Sequence, residues 1–199
     1  MSHSRNADHA IAPLFLDRRS PRAFSPAAIG DDLLLRLFEA ARWAPSANNS
    51  QPWRFIYAKQ GSASWPRLFG LLNEKNQAWA SQASALVVLL SRTVHLRAGA
   101  SEATPLRSHS LDAGAAWASL AFQAEQLGWQ THAIGGFDRD RARSLLGIPE
   151  DYRIEVAIAI GRRADPASLS PEQLERERPT QRRPLRELVA EGLFAFDAT

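Results

Sequence analysis

Six consecutive apolar residues, Ala85-Leu86-Val87-Val88-Leu89-Leu90, stand out in an otherwise mixed sequence. A run this short, without polar alternation, predicts a strand buried on both faces, and such a strand requires a layer above it and another below. The flanking segments can supply those layers. A short amphipathic segment begins near Ile11 and runs to Asp17-Arg18-Arg19-Ser20-Pro21-Arg22. Asp31 and Asp32 are placed to cap a helix through Leu33, Leu34, Leu37, Phe38 and Ala41, and Pro45 stops it. Trp53, Phe55 and Tyr57 alternate with Arg54, Ile56 and Ala58, as in a strand. Residues 65–72 and 76–82 predict two short helices, and residues 92–109 an irregular, mobile loop. A long helix is expected over 110–127, with Ser110 or Asp112 near its N-cap and Gly128 past its end. Its Ala113, Gly114, Ala115, Ala116, Ala118, Ala121 and Ala124 predict tight packing at the centre of an assembly. Residues 129–134 predict a strand leading into Gly135-Gly136. Asp138 is placed to cap a helix reaching Leu146, and 154–160 reads as a strand ending at Gly161. From Arg163 the tail reads as extended, then helical over 184–189. Strands interleaved with helices imply a three-layer α/β or α+β sandwich.

At 199 residues, 45% hydrophobic and 23% charged, the chain can bury one sizeable core, so a single domain over 1–199 is expected. The polar opening, residues 1–9, is expected to be flexible and lacks the apolar core of a signal peptide. No apolar run approaches the roughly 20 residues that span a bilayer. A cytoplasmic protein with no membrane partner is expected. The absence of Cys excludes disulfides, thiolate zinc sites, Fe–S clusters and cysteine nucleophiles together. His95, His109 and His132 lack metal-ligand spacing, so no metal site is expected. The net charge of +3 is local: residues 162–186 carry seven Arg against four acids. Two readings stay open, a solvated tail or one in which one or two arginines bind an anion. Interleaved acids and the lack of regularly placed aromatics count against nucleic acid.

Three motifs can carry chemistry. Arg18-Arg19-Ser20-Pro21-Arg22 can present a forked cationic grip on a phosphate, or can be a charged helix end. Pro45-Ser46-Ala47-Asn48-Asn49-Ser50-Gln51-Pro52-Trp53 packs amides and hydroxyls between two prolines, as a binding loop or a hydrogen-bonded turn. Gly135-Gly136 follows a strand, where backbone N–H groups can approach a planar ligand without Cβ interference, or simply turn tightly. No Gly-x-Gly-x-x-Gly follows a strand and no P-loop is present. Ser108-His109-Ser110-Leu111-Asp112 is too compact for a nucleophile–base–orienter relay.

Taken in order, these pieces resemble the nitroreductase family of flavin enzymes. The resemblance rests on Arg18-Arg19-Ser20-Pro21-Arg22, on Pro45-Ser46-Ala47-Asn48-Asn49-Ser50-Gln51-Pro52-Trp53-Arg54-Phe55 and on Asn76-Gln77-Ala78-Trp79. It continues through Asp112-Ala113-Gly114 and Ile134-Gly135-Gly136-Phe137-Asp138 to Arg182-Arg183-Pro184-Leu185, covering residues 12–188. It implies an α+β fold, a three-layer α/β/α sandwich with a central mixed sheet flanked by helices. It also implies an intertwined homodimer in which the tail, 163–199, embraces the partner subunit.

The implied cofactor is FMN. By position, Arg18, Arg19 and Ser20 correspond to phosphate and ribityl contacts, joined from the tail by Arg182 and Arg183. Arg22 falls where the family places a cation near the N1/C2=O edge, and Asn76 matches the amide at the pyrimidine edge. Pro45, Ser46, Ala47 and Asn49 correspond to the partner subunit's contribution, and Gln51 in the same loop is a further implied cofactor contact. Ile134, Gly135 and Gly136 correspond to the backbone facing the flavin N5. The chain departs from the pattern at Trp79, where familiar members have Lys, and at Gly135, where some have Glu. The implied activity uses NADH or NADPH to reduce a small electron-poor acceptor, such as a nitroaromatic or quinone, by a ping-pong scheme. FMN would carry the chemistry, with no catalytic side chain. Alternatives are another flavin reaction on the same fold (dehalogenation, flavin fragmentation, dehydrogenation) or a non-enzymatic flavin-binding protein.

Overall fold

A computed structural model describes residues 5–196. Residues 1–4 of the polar opening and 197–199 of the tail, which fall within the segments expected to be flexible and extended, lie outside the described residues.

The apolar run forms β3 (Ala85–Arg92), and it is buried on both faces as its composition requires. Along it, Leu86, Val88 and Leu90 point into one core and Ala85, Val87 and Leu89 into another. The first core is closed by α3 (Trp65–Phe69), α4 (Glu74–Ala80) and α6 (Arg139–Leu146), through Leu68, Trp79, Ala80 and Ala142. The second is closed by α2 (Asp31–Arg42) and α5 (His109–Gln126), through Leu34, Leu37, Ala113, Ala116 and Leu120. Each fully buried Leu or Val on this strand contributes about 1.5–3 kcal/mol relative to exposure, so the layers hold largely by burial. The result is the three-layer sandwich.

Strand β3 lies between β2 (Trp53–Lys59) and β7 (Tyr152–Arg163); β6 (Gln130–Ile134) and the short β1 (Phe24–Ser25) both pair with β7. Every pairing among the described residues is antiparallel, which corrects the expectation of a mixed sheet. The reason is the route of the chain. The connections holding α3–α4 and α6 bring the chain back into the neighbouring strand at the same end that it left, so β2 and β3, and β6 and β7, run antiparallel. The long helix α5 delivers β6 to the far side of β7, so the strand parallel to β3 is one place removed. Between Leu89 and Leu90 the register of β3 on β7 shifts: Leu89 opposes Val156 and Leu90 opposes Ile154, leaving Glu155 as the extra residue of a bulge.

Local chemistry moved several boundaries. Gly30, not an aspartate, is the N-cap of α2; Asp31 and Asp32 sit in its first turn, where they favour the helix through its dipole. Ser108 caps α5, so Ser110 and Asp112 lie inside the helix. Asp138 caps α6 by accepting from the Arg141 N–H, and Gly147 ends it at φ 63°, as a left-handed cap requires. Residues 92–109 are not merely irregular: β4 (Val94–His95) pairs with β5 (Thr104–Pro105), and Leu106 is buried. The tail holds a further helix, α7 (Pro171–Glu175), closed by a reciprocal Ser170–Gln173 capping box, and only a 3-10 turn at Leu185–Glu187.

Residues 5–8, within the opening expected to be flexible, make hydrogen bonds to the rest of the chain. Arg5 donates to the carbonyls of Leu16 (3.2 Å) and Arg18 (2.7 Å). The Asn6 N–H donates to Gln181, and the Leu185 N–H donates to the Asp8 carboxylate at 2.6 Å. The opening and the tail are therefore stitched to each other beside α1 (Pro13–Asp17). Helix α1 in turn rests on α5 through an edge-to-face contact of Phe15 with Phe122 at 4.9 Å. Among the described residues, no helix is long and apolar enough to cross a membrane.

Candidate functional site

Helix α1 ends at Asp17, and the extended turn after it sends Arg18, Arg19 and Ser20 toward the tail. There they meet Arg5, Arg176, Arg178 and Arg182 around a cavity of about 150 Å³. Among the described residues, Arg5, Arg18, Arg19 and Arg182 make no ion pair. Burial, followed by repulsion from Arg182, holds the Arg5 and Arg18 guanidiniums below their ordinary pKa, with Glu125 opposing. The Arg5 Nε is also buried without a hydrogen-bond partner. Guanidinium groups remain charged under such shifts, so this is a concentrated positive site suited to an anion. Glu177 also lines the cavity, but its carboxylate accepts the Arg22 backbone N–H and so fixes the turn.

A second cavity, of about 350 Å³, shares Arg18 and Ser20 with the first. Its other walls are Trp117, Ala118, Ala121 and Phe122 of α5, with His132 and Ala133 of β6. Small residues on the helix leave the space, and aromatic rings border it. A phosphate with a planar aromatic group attached fits this pairing of a cationic recess and an apolar one.

His132 closes the back of the site. Its Nδ1 lies 2.9 Å from the Pro21 carbonyl oxygen, which can only accept, so Nδ1 carries the proton. Burial lowers its pKa from 6.5 to about 4; Arg22 adds to this, while bonds to the Pro21 and Ser20 carbonyls oppose it. The imidazole is neutral at pH 7 and packs on Trp79 with ring centroids 4.6 Å apart.

Asn76 and Gly136 meet directly: the Asn76 Nδ2 donates to the Gly136 carbonyl at 2.9 Å, and the Trp79 Nε1 donates to the Asn76 Oδ1 at 3.2 Å. A Cβ at Gly136 would stand 2.5 Å from the Asn73 Nδ2 and 2.8 Å from the Asn76 Nδ2, so glycine there lets both amides keep their places. Gly135 is exposed, and its carbonyl accepts from Arg139 at 3.2 Å. Ile134 is 2% exposed with its side chain in the core, which leaves only its main chain for a ligand. Arg183 lines, with Arg182, a neighbouring cleft between opening and tail, not the arginine-lined cavity.

The loop 45–51 is held by Asp112, which is 5% exposed. Its carboxylate accepts from the Ala47 N–H at 3.2 Å and from the Ser108 hydroxyl at 3.0 Å. Asn48, Asn49 and Gln51 take left-handed φ values of 51°, 52° and 47°. The Gln51 N–H donates to the Ser46 hydroxyl, and the Gln51 side chain donates to the Asn49 carbonyl. None of Pro45, Ser46, Ala47, Asn49 or Gln51 lines either cavity of its own chain. Backbone strain of this kind is held by its surroundings and gathers at ligand sites.

Sequence reasoning missed Arg5, Arg176 and Arg178, which no local motif connects to Arg18. It weighed His132 only as a metal ligand, although its alternation on β6 placed it on one face with Thr131 on the other. A partly buried Ser–His–Glu group does form at the start of α5. Ser91 lies 2.7 Å from the His109 Nδ1, and the Ser91 and Ser110 hydroxyls donate to Glu155. Ser91 is 0% exposed and spends its hydroxyl on the carboxylate, so it has no access to a substrate.

The family model for nitroreductases matches residues 16–77 and 58–162. A crystal structure described as an oxidoreductase containing FMN superposes with a TM-score of 0.94 at 44% identity, covering 99% of this chain and 100% of that one. An NADH dehydrogenase of Thermus thermophilus is 29% identical over 175 residues, 73% of this chain and 83% of its own. A Streptomyces coelicolor protein named as an NADH dehydrogenase/NAD(P)H nitroreductase is 36% identical over 80 residues, 40% of this chain and 39% of its own length. With the match spanning most of the strands and both faces of the sheet, the chain belongs to the nitroreductase family.

Proposed function

We propose that this chain is an FMN-dependent oxidoreductase that uses NADH or NADPH to reduce small electron-poor acceptors, such as nitroaromatics or quinones, by a ping-pong scheme. The observation that carries this reading is the arginine-lined cavity joined, through Arg18 and Ser20, to an apolar recess bordered by aromatic rings. The FMN of the 44% identical structure supports the same ligand, and the relatives named as NADH dehydrogenases support the donor.

Arg18, Arg19, Ser20 and Arg182, with Arg5 beside them, would hold the phosphate, because charge-assisted bonds to a dianion are the strong class. Asn76 would meet the pyrimidine edge with its remaining amide proton and lone pair. Arg22 lines neither cavity, but its charge reaches His132 in the wall of the apolar recess and would favour extra electron density on a bound ring. Gly135 and Gly136 offer a backbone face with no Cβ in the way. When bound, FMN supplies hydride acceptance and donation, so no side chain here need act as acid or base.

Pro45, Ser46, Ala47, Asn49 and Gln51 are assigned to the site of a second subunit, since they line neither of the two cavities in their own chain. A homodimer is further supported by the outward face of α5, where Leu111 is 77% exposed and a Cβ at Gly114 would meet nothing. The deciding experiment is the anaerobic visible spectrum of the purified protein before and after NADH and NADPH. A yellow protein bleached by one donor is expected; a colourless protein that takes up no added FMN overturns the reading.

A further inference from the structure

Trp79 is 3% exposed and lies between Phe24, at 6.1 Å, and His132, at 4.6 Å. Its indole N–H ends on the Asn76 Oδ1, whose Nδ2 ends on the Gly136 carbonyl. From the other side, the His132 Nδ1–H ends on the Pro21 carbonyl, between Ser20 and Arg22. One continuous chain of contacts thus runs from Gly136 through Asn76, Trp79 and His132 to the turn that carries Arg22. It joins three segments far apart in sequence, each bearing a residue assigned above to the cofactor.

The partners also fix the Asn76 amide. An indole N–H can only donate and a carbonyl can only accept, so the oxygen must face Trp79 and the nitrogen Gly136. Donation into the amide oxygen polarises the group and makes its second N–H a better donor, since hydrogen bonds in series strengthen one another.

We infer that Trp79 and His132 are a positioning couple for the flavin ring: Trp79 orients and polarises the Asn76 amide, and His132 locks the Ser20–Arg22 turn to the same aromatic stack. This rests on the proposed FMN reading. A better donor at Asn76 favours the electron-rich form of the ring, so the couple raises the flavin midpoint potential as well as the affinity.

The test measures FMN dissociation by flavin fluorescence and the midpoint potential against a reference dye, in wild type, Trp79→Phe, Asn76→Ala and the double variant. Trp79→Phe keeps an aromatic ring in the stack but removes the N–H and part of the indole's volume, and the Asn76→Ala background separates the two effects. It is expected to weaken FMN about tenfold. It should also lose about tenfold in preference for reduced over oxidised FMN, a drop of about 30 mV for a two-electron couple. In the Asn76→Ala background the same change should alter neither quantity by more than about twofold, because Trp79 acts through that amide. Unchanged affinity and potential in Trp79→Phe, or a full effect that persists without Asn76, overturns the inference. Should Trp79→Phe not fold, His132→Phe carries the test. It leaves a ring against Trp79, removes the bond to Pro21 and should weaken FMN at least threefold; wild-type affinity overturns the couple. Wild-type protein that binds no FMN would instead sink the cofactor reading itself.

Discussion

Arg18 and Arg182 stand at opposite ends of the chain, yet they line one cavity, and repulsion from Arg182 helps lower the Arg18 pKa. Neither has a carboxylate partner among the described residues. A cluster of this kind works against folding until an anion enters, and that gives opposite signs for the empty and the loaded protein. Arg18→Ala and Arg182→Ala should each weaken FMN by about 10- to 100-fold, since a hydrogen bond to a charged group contributes about 1.5–3 kcal/mol. The same variants should leave the melting temperature of the FMN-free protein equal or higher. Calorimetry with and without FMN reads both effects; a lower apo melting temperature with unchanged affinity would mean that these arginines serve packing alone.

Gly136 is the point where two asparagines crowd the backbone. Gly136→Ala places a methyl 2.5 Å from the Asn73 Nδ2 and 2.8 Å from the Asn76 Nδ2. Both obstacles are ends of side chains, so the backbone can stay and the amides must move. The Asn73 cap of α4 is then disturbed, at about 1 kcal/mol. Asn76 also leaves its place, so the FMN affinity should fall more steeply than the stability does. Thermal melts and FMN titration of this variant check the ratio, and a loss confined to stability would detach Asn76 from the site.

Much of this was legible because the signal was local. The apolar run of β3 needed no knowledge of its neighbours to be read as doubly buried, and Asp138 announced its helix by capping chemistry that lies within four residues. The Arg18–Arg22 and Gly135-Gly136 motifs were likewise visible as candidates. What escaped was non-local. Arg5 enters the arginine-lined cavity only because residues 5–8 are stitched to the tail by Asn6, Asp8 and Leu185. The antiparallel sheet follows from which strand β6 lands beside, and periodicity carries no record of that. His132 was judged by its spacing to other histidines, when its meaning lies in Pro21 and Trp79.

His132 should leave a mark on the acid side of the stability profile. Its pKa is lowered from 6.5 to about 4, by burial first and by Arg22 as well. Above pH 6.5 the ring is neutral in folded and unfolded chains alike and adds no slope. Between 6.5 and about 4 the unfolded chain takes up a proton that the folded chain refuses, so stability falls as pH falls. The loss reaches up to about 3 kcal/mol and levels off below pH 4. In His132→Phe this component is absent. Denaturant titrations of both proteins from pH 7.5 to 4 should diverge through that window, and parallel curves would mean that His132 is not held neutral.

The loop 45–51 offers a test of the shared site that does not depend on the arginines. Gln51 is exposed and holds φ at 47°, a conformation that costs a non-glycine residue about 1 kcal/mol. Glycine relieves that strain, and the side-chain bond from Gln51 to the Asn49 carbonyl is an exposed one of little net worth. Gln51→Gly should therefore raise the melting temperature of the FMN-free protein by about 2 °C. If the loop reaches a second subunit's cofactor, the same variant should weaken FMN about threefold or more with no change in any residue lining its own chain's cavities. Mixing it with an Arg18→Ala protein would complete the argument. Each subunit of such a heterodimer damages a different half of the pair, so one of the two sites is left intact. Titration of the mixed dimer should show one site of wild-type affinity and one weak site; two weakened sites, neither at wild-type affinity, would place loop and arginines in the same subunit's pocket.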